Sequence, residues 1–454
     1  MSEERKPTVE ELKKKAEWPN KVAPGRHKFY GGKLETLPKC SIRSFNDFGI
    51  WYTPGVAAPC KEIHADPEKV YDYTNKGNLV AVISDGTRVL GLGDIGPLAG
   101  YPVMEGKSIL FKYLGGVDSI PIMLDTKDPD KFIETVKLLE PSFGGVNLED
   151  ISNPKCFYIL DRLREEMKIP VWHDDQQGTA SVELAGTINA LKLVGKRLDE
   201  AKFAIIGTGA ANIAFVRILI AAGVPPKHIV MVDSKGTLHP GRKDLEEKKD
   251  SNPYKWKYAL ETNGENVVGG IADALKGADI MVSASKSEPG TIKKEWVAGM
   301  ADDSIVFAVA NPLPEIWPWD AKEAGAKVIG TGRSDFPNQV NNSLGFPGIF
   351  RGTLDVRART ITDGMAIAAA YELAKVAEEH GLHEDYIIPN MDQWEVFPRE
   401  AVAVGMKAME EGVARKKIGR EELYHMAEER IKSTREKVKH LMEVGYIPEL
   451  PDGM

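Results

Sequence analysis

KFAIIGTGAAN, Lys202–Asn212, holds a four-residue apolar run from Phe203 to Ile206 and then a turn with Gly207 and Gly209. Ala210, Ala211 and Asn212 follow and open a segment with apolar residues at Ile213, Val216 and Ile220, a helical spacing. The stretch therefore reads strand, glycine turn, helix. The first glycine permits the tight turn, and the second lets a phosphate approach backbone N–H groups at the helix N-terminus. A lone G-x-G is weak, but the next apolar run, HIVMVD, ends in Asp233, 24 residues after Gly209. An acid there can read ribose hydroxyls. The candidate dinucleotide set is Gly207, Thr208, Gly209, Ala210, Ala211, Asn212 and Asp233, extended by Ser234 and Lys235. Asp233 favours an unphosphorylated ribose, as in NAD, whereas Ser234 and Lys235 could hold the 2′-phosphate of NADP. Both cofactors stay open. Asn212 stands where Gly or Ala is usual, which loosens the expected helix–strand packing.

Working outward, ADIMVSAS, SIVFAVANP and AKVIGTGRSD are further short apolar runs ending in Gly, Ser, Asp or Asn. Parallel strands end so when their carboxyl edge carries ligands. Upstream, NLVAVISDG, SIPIMLDT, GGVNLEDI and IPVWHDD alternate with helical segments such as DKFIETVKLLEP and CFYILDRLREEM. The expected fold is α/β, with a first α/β domain over 1–180 and a Rossmann-type doubly wound domain over 181–354. A helical region over 355–454 follows, with a charged tail from about 416 expected to be a solvated helix.

The 454 residues suffice for two or three domains. A net charge of −8 argues against a nucleic-acid partner, and no apolar run is long enough for a membrane span. Cys40, Cys60 and Cys156 lie far apart without C-x-x-C spacing, as expected of reduced thiols in a cytoplasmic protein.

Two acid pairs close successive runs of the first half: Glu149-Asp150 and Asp174-Asp175. Either alone is a helix cap or a solvated loop. Neighbouring parallel strands would set their tips side by side, and such a cluster needs a cation. Oxygen ligands suit Mg²⁺ or Mn²⁺, and no Cys/His spacing points to zinc. Lys107, at the start of an apolar helix after a glycine-rich loop, can act as a base if its pKa is depressed. Arg88 could grip a carboxylate with its planar fork. Tyr52, before a Thr-Pro turn, reads alone as a packing residue.

Together, YTPGVAAPC, AVISDGTRVLGLGDIGPLAGYPVMEGKSILFK, FGGVNLEDI, HDDQQGTA, FAVANPLPEI and GTGRSDFPNQVNNSLGFPGIFRG resemble the compact malic enzymes of bacteria and archaea, collinearly from about Lys33 to Arg415. The resemblance implies oxidative decarboxylation of (S)-malate to pyruvate and CO₂ with NAD or NADP and Mg²⁺ or Mn²⁺. By it, Tyr52 is the general acid and Lys107 the general base. Glu149, Asp150 and Asp175 are metal ligands, and Asp174 supports the lysine. Arg88 holds the substrate carboxylate, while Asn311 and Asn342 line substrate and nicotinamide, with Asn341 as a lesser candidate. Lys107 would take the C2 hydroxyl proton during hydride transfer, and Tyr52 would protonate C3 after CO₂ leaves. A homodimer or higher homo-oligomer is the default assembly.

Gln177 and Asp94 depart from many compact members of that family, and no phosphotransacetylase-like extension is present. The rival readings are a malolactic-type lyase that makes lactate with bound NAD, an idle metabolite sensor, and an amino-acid dehydrogenase. The last leaves the paired acids unexplained.

Overall fold

The computed structural model describes residues 8–451. Its two sheets follow from the apolar runs. In the first, β1 (Leu79–Ser84), β2 (Asp118–Met123), β3 (Gly145–Leu148) and β4 (Val171–His173) lie in the order β2-β1-β3-β4, every pair parallel. Val80 to Ile83 are fully buried, as a strand covered on both faces requires. The register pairs Ile83 with Leu148 and Leu148 with His173. Asp85, Glu149-Asp150 and Asp174-Asp175 therefore leave the sheet at one edge.

The second sheet has the order β10-β9-β8-β5-β6-β7, from β5 (Phe203–Ile206), β6 (Ile229–Asp233), β7 (Gly236–Thr237), β8 (Ile280–Ser283), β9 (Ile305–Ala308) and β10 (Val328–Thr331). The five expected strands are parallel, and the two-residue β7 runs antiparallel to β6. Strand order reverses at β5, so a crevice opens between the ends of β5 and β8, the place where doubly wound sheets bind ligands.

Helices join the sheets. Thr179–Leu193 is buried along most of its length and packs against the helices Ala210–Ala221 and Asp363–Glu379. Phe346–Asp355 lies against both Gly96–Gly115 and Val396–Glu410, with the Phe111 ring 4.6 Å from Phe346 and 5.1 Å from Phe350. Arg351 in this helix is fully buried, and Asp355 (2.7 and 2.9 Å) and the Asn78 side chain (2.6 Å) receive its N–H groups. Such a pair is costly to break from one side.

The tail differs from expectation. Arg420–Glu443 is a helix, but Leu423, Ala427, Ile431 and Thr434 are buried against Gly96–Gly115 and Val396–Glu410. Its charges cover three faces and hide an i, i+4, i+8, i+11 stripe from composition-based reading. At the other end, Val9–Tyr30 is a helix whose Thr8 and Glu11 form a reciprocal cap. No helix among the described residues is long and apolar enough to cross a membrane.

Candidate active site

The aligned strand tips bring together most of the residues expected there. The Lys107 ammonium, on the helix Gly96–Gly115, donates to Asp174 Oδ2 at 2.6 Å and lies 3.1 Å from Glu149 Oε1. The Phe346 ring sits 4.6 Å from the same nitrogen and shields it from water. Burial alone would drive Lys107 toward neutrality, yet Asp174 and Glu149 overcome it and hold its pKa above the ordinary value. This reverses the expected depression, because the carboxylates around the lysine face it without a compensating cation.

Asp174 and Asp175 occupy a π-helical turn, Asp174–Gly178, between β4 and the helix Thr179–Leu193. Such turns re-aim side chains and cluster at functional sites. Here the two acids point differently. Asp174 is fully buried against Lys107, with the Trp172 indole N–H donating to it at 3.2 Å. Asp175 accepts the Asp150 backbone N–H at 2.8 Å and is one-third exposed. A Cβ on Gly178 would stand 1.9 Å from Asp174 Oδ1, so the turn closes only with glycine there.

One oxygen from each of Glu149, Asp150 and Asp175 lies within 4.8 Å of the others. Burial, then Asp175, raises the Asp150 pKa to about 8; burial also raises Glu149 and Asp175. Asp150 Oδ2 is buried and has no hydrogen-bond partner, and its residue holds a left-handed φ of 55°. Crowded, desolvated carboxylates with an orphan oxygen fit a hard dication such as Mg²⁺ or Mn²⁺. Arg88 is exposed at the rim, and its backbone N–H donates to the Asp150 carbonyl at 3.0 Å.

Several supporting groups escaped the sequence reading. Asn147 donates to Glu149 Oε2 at 2.8 Å. Buried Asp85 accepts from Lys155 Nζ and from the Thr87 hydroxyl, both at 2.6 Å, and so fixes the loop that carries Arg88. Glu315, also buried, accepts from Ser283 and from the Ser285 and Ala310 backbones, tying the ends of β8 and β9. No periodicity marks these residues; the one signal was a polar residue adjoining an apolar run. Gln177 is buried and accepts the His173 backbone N–H, while Asp94 forms an exposed pair with Lys127 at 2.5 Å. His173 is fully buried, and burial lowers its pKa to about 3, leaving a neutral ring.

On the dinucleotide side, Gly207 has φ 99°, and a Cβ there would lie 2.7 Å from the Ala284 carbonyl oxygen, at the β5/β8 crevice. Gly209 has open space around it at the N-terminus of Ala210–Ala221, as the approach of a pyrophosphate requires. Asn212 is not free to face a ligand: it is fully buried and donates to the Ile206 and Gly207 carbonyls at 2.8 and 3.0 Å. It tightens the turn rather than loosening it. Asp233 accepts from Arg242 at 3.1 and 3.2 Å and from Lys255 at 3.1 Å, two cations that lie 9 and 22 residues further along the chain. Burial raises its pKa, but these cations outweigh that and hold it low. Ser234 is exposed, and the Lys235 ammonium pairs with Asp244 at 3.2 Å.

Asn342 lies at the start of a short turn with its Cβ 3.5 Å from where a Gly178 side chain would begin, beside Asp174. Asn341 instead caps that turn, accepting from the Ser343 backbone and hydroxyl. Asn311 is exposed at the end of β9, its carbonyl against the loop at Gly91. Tyr52 is the residue not brought in. It is 71% exposed, its hydroxyl has no hydrogen bond, and it stands at the end of the short helix Phe48–Trp51.

Comparison with known proteins agrees with this arrangement. Residues 31–164 match the family model "Malic enzyme, N-terminal domain", and residues 176–409 match "Malic enzyme, NAD binding domain". The bifunctional malic/malolactic enzyme of Bacillus subtilis is 53% identical over 397 residues, 87% of this chain and 95% of the relative. The NAD-dependent malic enzyme of Geobacillus stearothermophilus is 52% identical over 386 residues, 85% of this chain and 78% of the relative. The crystal structure of Entamoeba histolytica malic enzyme superposes with a TM-score of 0.94 at 48% identity, covering 98% of this chain and 93% of that one.

Proposed function

The chain belongs to the malic enzyme family, and on that basis we propose how its residues share the oxidative decarboxylation of (S)-malate to pyruvate and CO₂ with NAD⁺ or NADP⁺. The observation that carries the reading is the buried group of Lys107, Asp174, Glu149, Asp150 and Asp175 at one strand edge. In this scheme Glu149, Asp150 and Asp175 hold the metal, and Arg88 at the rim pairs with a malate carboxylate. When bound, Mg²⁺ or Mn²⁺ supplies a Lewis acid for the malate hydroxyl and cancels carboxylate charge that otherwise keeps Lys107 protonated. Lys107 Nζ accepts the C2 hydroxyl proton as hydride leaves C2 for the nicotinamide. Asp174 holds that nitrogen in place and balances the ammonium it becomes. After CO₂ departs, the Tyr52 hydroxyl protonates C3 and pyruvate forms. Asn311 and Asn342 orient substrate and nicotinamide, and the Gly207–Gly209 turn receives the pyrophosphate.

We assign the acids and Lys107 to a domain over 1–180, the dinucleotide to 181–354, and bracing helices to 355–454, in a cytoplasmic homo-oligomer. The deciding experiment follows malate turnover with NAD⁺ and NADP⁺ side by side, with and without Mn²⁺. Metal-dependent accumulation of reduced cofactor and pyruvate is expected. Lactate without reduced cofactor would instead support the malolactic reading, which the bifunctional Bacillus subtilis relative keeps in view.

A further inference from the structure

We propose that Tyr52 serves the site of a second copy of this chain, so that each working site is built across a homodimer. The inference rests on the catalytic reading above, which gives a tyrosine hydroxyl the protonation of C3.

Three observations carry it. The segment around Tyr52 is an arm rather than part of the core: neither Phe48–Trp51 nor the helix Ala57–Ala65 contains a buried residue. Its polar contacts are local or reach Asn75, Lys69 and Tyr73, and among the described residues none joins residues 41–66 to the loops bearing the acids. Tyr52 thus has a role in chemistry and no place in its own chain's site.

The arm also presents an apolar face to water, with Phe45 89% exposed, Ile50 60% and Trp51 49%. A contiguous patch of that kind marks an interaction surface. Finally, the loop that borders the acid site is apolar and uncovered as well, with Leu90 64% exposed, Leu92 69% and Leu98 90%. That loop is held firmly, by the Val89–Gly93 bridge and by the Arg88 N–H bond to Asp150. Leu90 is kept at a left-handed φ of 47°, which a leucine adopts only under constraint.

One unpartnered apolar surface therefore carries the missing proton donor, and the other rims the site that lacks it. A two-fold axis satisfies both at once, because each arm covers its partner's rim in the same contact made twice. The occupant is a second copy, since only this chain supplies the tyrosine.

The test is complementation between Tyr52→Phe and Lys107→Ala, assayed with malate, NAD⁺ and Mn²⁺. Each variant alone should lose turnover by about 10²-fold or more. After dissociation and equimolar remixing, half the dimers are hybrids with one intact site, so activity should return to about a quarter of wild type. No recovery, with hybrids present by native mass spectrometry, would mean that the arm folds onto its own site, and it would overturn the proposal. A fully active monomer in sedimentation would overturn it too. Full turnover in Tyr52→Phe removes the premise about tyrosine and sinks the proposal, while full turnover in Lys107→Ala removes the catalytic scheme itself. As a variant pair outside the acid cluster, Trp51→Asp and Leu92→Asp should each weaken the dimer and lower turnover together; loss of neither overturns the interface.

Discussion

Asp174 and Asp175 are consecutive, yet the π-helical turn sends one to the lysine and the other to the Glu149-Asp150 tip. Their variants should accordingly fail differently. Asp175→Asn should weaken Mn²⁺ binding by 10-fold or more, measured by titration, because one of three ligand acids is lost. Asp174→Asn should retain Mn²⁺ binding while kcat falls by about 10²-fold, because Lys107 loses its anionic partner. Equal Mn²⁺ affinity in both variants would contradict this division. Gly178→Ala tests the same turn from behind: its Cβ would displace the Asp174 carboxylate, and kcat should fall with little change in KM for malate. The acid pairs and Lys107 were legible as candidates because carboxylates beside an apolar run need a reason. Asn147, Asp85 and Phe346 were not, since nothing local distinguishes them from ordinary strand-end or core residues.

Among the elements, Thr179–Leu193 shows how burial couples to pH. Glu183 in this helix is fully buried, both its oxygens lack partners, and burial and the nearby Glu315 raise its pKa to about 8. An acid raised above its unfolded pKa binds its proton more tightly when folded. Its stability contribution is complete below the unfolded value near 4.5 and is lost as pH rises toward 8. Glu183→Gln should therefore match wild type in Tm at pH 4.5 and exceed it by a few degrees at pH 8.5. A constant Tm difference across that range would show that Glu183 does not titrate. The helix Arg420–Glu443 makes the complementary point about packing. Ile431 is fully buried, so Ile431→Ala should destabilise by about 2–4 kcal/mol in denaturant unfolding, whereas a solvated helix would lose almost nothing. Its charge-rich composition concealed that stripe, because helix burial depends on one face and composition averages over all of them.

Across the whole molecule, two parallel sheets set the acid site and the glycine turn at carboxyl edges, with shared helices holding them. Metal binding to the folded site alone should raise Tm in proportion to ln[Mn²⁺], with about 2.7 kcal/mol gained at one hundred times the Kd. That rise should vanish in Asp175→Asn. The sequence by itself determined the alternation of strands and helices, the strand–glycine–helix turn at Phe203–Asn212, and the residue types able to hold a cation and move a proton. These are local properties, written in periodicity and in the chemistry of neighbouring side chains. Tertiary structure alone decided the sign of the Lys107 shift, the inward turn of Asn212, the occupation of Asp233 by Arg242 and Lys255, and the exclusion of Tyr52 from its own site. Each depends on groups distant in sequence or on burial, and Coulomb energy and desolvation respond to distances in space.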